Sequence, residues 1–374
     1  MKKIGLATFF YDDNFGTCLQ AYALQNIIEK MNYEVSLIRY HRDVMPVGGN
    51  NGKLKKIFQM SPRKTLWWLW NRKSIIAKKR KFTEFRDCYL KLSDGEDYYR
   101  NSDFHGLAEK YDALVCGSDM LWSNEFKEDW PFYYLSFADS HKTVSYAPSF
   151  GKNYLTHEEI ISCATLIRNI GNLSCREEAG VKMIKDNFNL DATHVIDPTL
   201  LIDSKQWDTV INNQESLVDG KYTLVYLFNG TIKHGRKNVI EQAERMVDSK
   251  LVILSGAEGK FKKYEYPEAS GPLEFVQLYR NSSFVITDTF HGMLFAIIFN
   301  KPFVVLDKSP FGISADRLTS TLETLGISNR YVKNDIILDD SFIRMDYSDV
   351  NERLSILRKR SLEYLSNSLQ NACK

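Results

Sequence analysis

An α/β fold with two Rossmann-like halves is the architecture this sequence predicts, and three observations predict it. Short β-branched or apolar runs alternate with longer stretches of helical period, the pattern of βαβ units around a parallel sheet. The alternation occurs twice, over residues 1–202 and again over residues 221–345, on either side of a polar stretch. The 374 residues also exceed what one ordinary core holds, since domains mostly run to about 100–200 residues.

In the first half the strand candidates are "KKIGLATFF", "YEVSLIRY", "DALVCGSD", "TVSYAPSF", "NLSCRE" and "ATHVIDPTL", with helices at "GTCLQAYALQNIIEKM", "HEEIISCATLIRNI" and "EEAGVKMIKDNF". Residues 203–220 turn polar with few periodic apolar positions and read as the linker. The second series runs "YTLVYLF", "GRKNVIEQAERMVDS", "KLVILSG", "GPLEFVQLYRNS", "SFVITDT", "FHGMLFAIIFN" and "KPFVVLD". Residues 346–374 are amphipathic and predict a closing helix that packs back across both halves.

The totals exclude several classes. Hydrophobic residues make up 44% and charged residues 26%, values of a globular chain rather than a disordered or fibrous one. A formal charge of +2, from 49 basic and 47 acidic residues, gives no global field that favours nucleic acid. The six cysteines include no C-x-x-C pair, so neither a zinc knuckle nor a redox couple is expected, and they read as thiols in a reducing compartment. The first residues lack a small-residue cleavage site and continue into a strand; a cytoplasmic protein is the expectation.

In open parallel sheets, ligands sit beyond the carboxyl ends of the strands. The residues there are the candidates, and a cleft between the halves is the expected site. After the first strand, Asn14 and Gly16 precede a helix carrying Gln20, a turn able to meet an anion or a sugar. "LVCGSDMLWSN" ends in Ser118 and Asp119 with Trp122 close behind, a carboxylate and an aromatic face suited to a sugar; Asp119 reads equally as a cap. Ser149 closes "SYAPSFG". Arg176 stands at another strand end, able to fork onto a carboxylate or phosphate or to pair with Glu177. "SFVITDTFHG" places Asp288, Thr289, His291 and Gly292 at the end of a buried strand, with His291 in the first turn of an apolar helix, where the helix dipole favours an anion. Arg317, in the first turn after a Gly/Ser-containing loop, reads as an anion fork or a surface ion pair.

One segment stands apart. Between Met45 and Thr83 there is no acidic residue, and Lys and Arg crowd around Trp67, Trp68 and Trp70. Residues 53–82 read either as a peripheral contact with a membrane or lipid-linked substrate, or as a helical insertion (about 53–90) that packs its tryptophans on the core. No nucleic-acid-binding module surrounds it, so nucleic acid is not an expected partner.

Taken together, "NFGTCLQAYALQ", "LVCGSDMLWS", "VSYAPSFG", "LSCREE", "DPTLL" with Trp207 shortly after, "TDTFHGMLFAIIFNKPF" and "DRLTSTLETLG" resemble the polysaccharide pyruvyl transferase family, in order, from residue 1 to about residue 330. The resemblance implies a glycosyltransferase-B-like pair of Rossmann-like domains. It further implies transfer of an enolpyruvyl-derived group from phosphoenolpyruvate to a sugar of a surface polysaccharide or its lipid-linked precursor, giving a pyruvate ketal. His291 matches the family's histidine and is the expected proton-transfer or phosphate-contact residue; Asp119 is the second catalytic candidate. Arg176, Arg317 and the turn at Gly16 are the expected anion contacts, and the scheme demands neither a cofactor nor a metal. Some members carry an arginine two positions before the histidine, where this chain has Thr289. Another cation, such as Lys301 or Arg317, would then substitute, or the donor differs. The competing functions are a nucleotide-sugar glycosyltransferase, which the same architecture permits, and a non-catalytic glycan-binding protein at the membrane.

Overall fold

Each half of the chain builds a parallel sheet from strands too apolar to face water on either side. In the computed structural model, which describes residues 1–42, 62–100, 102–211, 216–228, 235–254, 270–311 and 314–374, the first sheet comprises β1 (Lys3–Ala7), β2 (Glu34–Leu37), β3 (Ala113–Cys116) and β4 (Thr143–Ser145) in the order β2-β1-β3-β4. The second comprises β5 (Tyr222–Tyr226), β6 (Lys250–Ile253), β7 (Phe284–Thr287), β8 (Phe303–Leu306) and β9 (Tyr331–Val332) in the order β6-β5-β7-β8-β9. Neighbours pair in parallel throughout, for example Leu6 with Val115 and Ile286 with Val225. β3, β7 and β8 are buried at every residue, as strands covered by helices on both faces must be. Both sheets reverse their winding at the same place, between β1 and β3 and between β5 and β7, the switch points where such sheets bind ligands.

Among the described residues, the helices of eight residues or more are α1 (Phe15–Lys30), α2 (Pro62–Tyr89), α3 (His157–Ile167), α4 (Glu178–Phe188), α5 (Ser204–Ile211), α6 (Arg236–Val247), α7 (Pro272–Asn281), α8 (Phe290–Ile298), α9 (Asp316–Thr324) and α10 (Ser348–Ala372). α1 packs on α7 and α8, so one hydrophobic cluster runs from Leu6 and Leu24 of the first half to Phe275 and Leu294 of the second. The switch points of the two sheets are thereby held close together.

The sequence expectations fare unequally. Residues 203–220 are not an open linker: α5 lies there, and its Trp207 is wholly buried, with Nε1 donating to the Thr199 carbonyl at 3.2 Å. One indole buried in a polar stretch outweighs the weak periodicity around it. β9 follows no long apolar run and was not anticipated. The closing helix is present, and it does reach both halves. Ser361 accepts from the Ile196 N–H at 3.1 Å and Tyr364 reaches the Asn172 carbonyl at 2.8 Å, while Tyr347, just before the helix, donates to the Lys301 carbonyl. The second half of α2 is fastened rather than free: Phe82 and Phe85 are buried, Lys81 pairs with Glu274 of α7, and Arg86 pairs with Asp13 at 3.1 Å. The side chains of Trp67, Trp68 and Trp70 lie outside the described residues. Among those described, no helix is long and apolar enough to cross a membrane.

Candidate active site

Two glycines set the close approaches at the first switch point. Gly16 is the second residue of α1, and a Cβ there would lie 2.0 Å from His291 Nδ1, so the imidazole rests directly on the helix turn. Gly117 follows β3 directly, with φ at 134°, and a Cβ would meet the Tyr146 carbonyl oxygen at 1.9 Å. The sharp exit from β3 that these conditions require throws Ser118 and Asp119 toward α1. Gln20, completely buried, ties the turn together: it donates to Thr8 and the Phe9 carbonyl and accepts from the Ser118 N–H at 3.2 Å.

At the second switch point β7 gives way to α8. Thr289 is the N-cap, accepting from the Gly292 N–H at 3.1 Å, and this fixes Phe290 and His291 in the first turn. The ring of Phe290 carries the guanidinium of Arg176 at 4.3 Å on the first-half side and that of Arg317 at 5.5 Å.

Asp197 joins the two halves. Its Oδ2 accepts from Arg176 Nη1 at 2.9 Å and from Ser118 Oγ at 3.3 Å, and lies 3.6 Å from His291 Nε2. Its Oδ1 accepts from the Thr199 N–H at 3.0 Å and hydroxyl at 2.8 Å. Burial alone would raise its pKa; His291, Arg176 and the Thr199 N–H outweigh burial and hold the carboxyl well below the usual range. Burial likewise opposes the charge on Arg176, but Glu177, Asp197 and Asp119 more than compensate and raise its pKa. Arg176 reaches Glu177 at 3.2 Å and Asp119 at 3.9 Å, and Asp119 accepts from Thr17 Oγ1 at 3.4 Å. The side chains of Asp197 and Arg176 are 1% and 2% exposed, those of His291 and Asp119 12% and 13%. The inner pair is sealed and the outer pair is reachable, the arrangement of an acid or base backed by an orienting partner.

His291, Asp119, Arg176 and Arg317 therefore do converge, with Gly16 and Ser118 beside them. Several other candidates are instead consumed by the fold. Trp122 is 1% exposed and stacks on Tyr134 at 4.9 Å, so its face cannot cover a sugar. Ser149 is buried and accepts from the Gly151 N–H. Asn14 caps α1 through Thr17 N, and Asp288 accepts from the Phe228 N–H and from Arg236 at 2.8 Å. Gly292 packs so tightly that a Cβ would meet the Thr287 and Thr289 hydroxyls at 2.4 Å. Gln20 and Thr289 hold their neighbours rather than a ligand. Lys301 precedes β8, at the opposite edge of the sheet from His291, and cannot substitute for a missing arginine. Asp197, by contrast, was missed. "DPTLL" was legible as a motif, but Asp-Pro-Thr alone signals a turn whose Asp caps the next backbone groups, and that is half of what it does.

Beside this cluster, where β1 ends, lies a cavity of about 330 Å³. Thr8, Phe9 and Asp12 form one wall, and Tyr40, Arg42 and Asp129 face them. Arg42 spans the rings of Phe9 and Phe126 at 4.7 and 4.8 Å and pairs with Asp12. Thr8 bonds the Ser118 carbonyl at 3.3 Å, so the cavity and Asp119 share a wall.

The family model for polysaccharide pyruvyl transferase matches residues 14–310. Among solved structures, the chain is similar to UDP-GlcNAc 2-epimerase of Methanocaldococcus jannaschii, at 16% identity over 92% of this chain and 98% of that one, with a TM-score of 0.46. It is similar also to the UDP-GlcNAc 2-epimerase of Neisseria meningitidis, at 11% identity over 100% and 94% with a TM-score of 0.48, and to UGT2 of Phytolacca americana, at 8% identity over 100% of both with a TM-score of 0.48. No curated protein matches the sequence.

Proposed function

The chain belongs to the polysaccharide pyruvyl transferase family, a family of transferases, and from that premise we propose that it moves an enolpyruvyl-derived group from phosphoenolpyruvate to two hydroxyls of a sugar in a surface polysaccharide or its lipid-linked precursor. The observation that carries this reading is the meeting of His291, from the second half, with Asp197, Arg176 and Asp119 of the first.

The reaction adds a proton to the methylene carbon of the donor, leaving an oxocarbenium-like centre at the adjacent carbon. One sugar hydroxyl attacks that carbon, the carbon–oxygen bond to phosphate breaks, and the second hydroxyl closes the ketal. Of the two hydroxyl protons released, one balances the proton taken up by the methyl group and the other leaves with phosphate. His291 would be the acid, and the Asp197 carboxylate, 3.6 Å from its Nε2, would fix the orientation of the ring. Asp119, partly exposed and tethered by Thr17, would accept a hydroxyl proton. The sugar would occupy the adjoining aromatic and carboxylate-lined cavity, and Arg176, Arg317 and the first turn of α1 would face the donor's anionic groups.

The test is to incubate the purified protein with phosphoenolpyruvate and a panel of lipid-linked oligosaccharides, reading phosphate release and the mass of a pyruvate ketal on the sugar. Product with the native chain and none with His291→Ala supports the reading. Turnover of nucleotide sugars with none of phosphoenolpyruvate would replace it.

A further inference from the structure

The charge of this chain is divided unevenly. Eleven of its 49 Lys and Arg residues, and none of its 47 Asp and Glu residues, lie between residues 46 and 82, so about one-tenth of the chain carries +11 and the remainder carries −9. A molecule divided in this way is nearly neutral yet strongly dipolar, and it turns its basic end toward any anionic surface.

α2 carries the described part of that end. Its C-terminal portion is fastened to both halves: Phe82 and Phe85 are buried, Arg86 donates to Asp13 and the Tyr11 carbonyl of the first half, and Lys81 pairs with Glu274 of the second. Lys78 turns inward over the rings of Phe15 and Phe82. Arg72, Lys73, Ile76, Lys79 and Arg80 are all exposed, and at 3.6 residues per turn they share an arc of about 120° opposite that inward face. Ile76, 62% exposed, stands at the centre of the arc. Arg80 reaches Glu84 one turn further on. Among the described residues, no carboxylate lies within ion-pairing distance of Arg72, Lys73 or Lys79. An apolar side chain ringed by cations matches an anionic lipid surface, where the cations meet headgroups and the isoleucine enters the acyl boundary. A polyanion without an apolar layer would leave Ile76 with nothing to meet.

We propose that this outward face of α2, formed by Arg72, Lys73, Ile76 and Lys79, docks on an anionic lipid bilayer. α2 crosses the turn between β1 and α1, where Phe15 meets Phe82 at 5.2 Å and the next residue, Gly16, supports His291. Arg72 lies ten residues before Phe82, about 15 Å along the helix, so a bilayer on this face stands close to the cleft. A saccharide carried on a lipid at that surface would be within reach; that consequence rests on the proposed function, and the docking itself does not.

The experiment is cosedimentation of the full chain with vesicles of phosphatidylcholine alone or mixed with phosphatidylglycerol, at low and high salt. The native chain should bind only the phosphatidylglycerol vesicles and release them at high salt. The triple variant Arg72→Gln/Lys73→Gln/Lys79→Gln should bind about 100-fold more weakly, at roughly fivefold per charge near the surface, and Ile76→Ser should weaken binding with the salt dependence unchanged. Lys182→Gln/Lys185→Gln/Lys359→Gln, which removes the same charge from exposed positions on α4 and α10, should bind like the native chain. Thermal melts matching the native chain in both triple variants separate lost docking from lost folding. Equal weakening in the two triple variants would overturn the proposal, because net charge rather than α2 would then set the affinity, as would a native chain that ignores phosphatidylglycerol. Tighter binding of a single-stranded oligonucleotide than of the vesicles, lost in the α2 variant, would also overturn it. The vesicles hold neither donor nor acceptor, so α2-dependent docking without ketal formation on any sugar would uphold this surface and defeat only the proposed reaction.

Discussion

Gly16→Ala should be an enzyme that folds but has lost its acid. The added methyl would sit 2.0 Å from His291 Nδ1, where ordinary contact begins near 3.4 Å, so the ring must retreat by roughly 1.4 Å. It has no slack to do so at constant function, since its other nitrogen already stands 3.6 Å from Asp197. A displacement of about 1 Å in a reacting group costs on the order of 100-fold, or about 2.7 kcal/mol in the barrier. Stability moves less, because alanine is favoured over glycine in a helix by about 1 kcal/mol and this offsets part of the roughly 1–3 kcal/mol of overpacking. The assay is phosphate release from phosphoenolpyruvate with a sugar acceptor, alongside a thermal melt. A kcat reduced about 100-fold with the melting point within several degrees is expected. Native kcat in Gly16→Ala would refute the claim that the ring must lie on this turn to act.

Asp197→Asn leaves Arg176 buried with one fewer counter-charge and should cost about 3–5 kcal/mol, seen as a lower denaturant midpoint. Because the Asp197 pKa is depressed in the folded state, its stabilising share is present above the normal carboxylate range and is lost as pH falls below it, so the native and Asp197→Asn proteins should converge in stability toward strong acid. Trp122→Phe should lower the melting point and leave the acceptor KM unchanged, whereas Asp12→Ala, at the cavity wall, should raise that KM.

The strands and their polar tips were legible because burial on two faces demands continuous apolar runs, and the residues that end such runs must be the ones facing the ligand edge. That logic reached His291, Asp119, Arg176 and Arg317, which the fold brings to one place. It failed where a polar side chain at the edge turns back to serve its own backbone. Asn14 and Thr289 look like ligand groups in the sequence and are caps in the fold, and a cap is a local device that spacing alone does not separate from a contact. Trp122 failed for a different reason: its nearness to Asp119 in sequence says nothing about direction, and the turn after Gly117 sends the indole into the core against Tyr134. Asp197 was hidden because its roles are mostly long-range. Its Thr199 contacts are two residues away, but Ser118, Arg176 and His291 come from three other segments.

A cluster of ionised groups at the junction of two hydrophobic halves is an odd way to hold them together. Arg176 and Asp197 are almost wholly removed from water, and well-packed apolar residues of similar volume would commonly hold the halves at least as firmly. Adhesion is already provided elsewhere, by the continuous cluster through Leu24, Phe275 and Leu294 and by α10. What the ionised cluster adds is direction: a charge fixed beside one nitrogen of His291, and a glycine surface beneath the other. An imidazole merely satisfied in a core would need neither, since a neighbouring carbonyl could serve. The cost of burying those charges is therefore better explained by the chemistry of His291 than by the stability of the fold, and the comparison of Gly16→Ala with Asp197→Asn separates the two: the first should lose rate at nearly constant stability, the second should lose both.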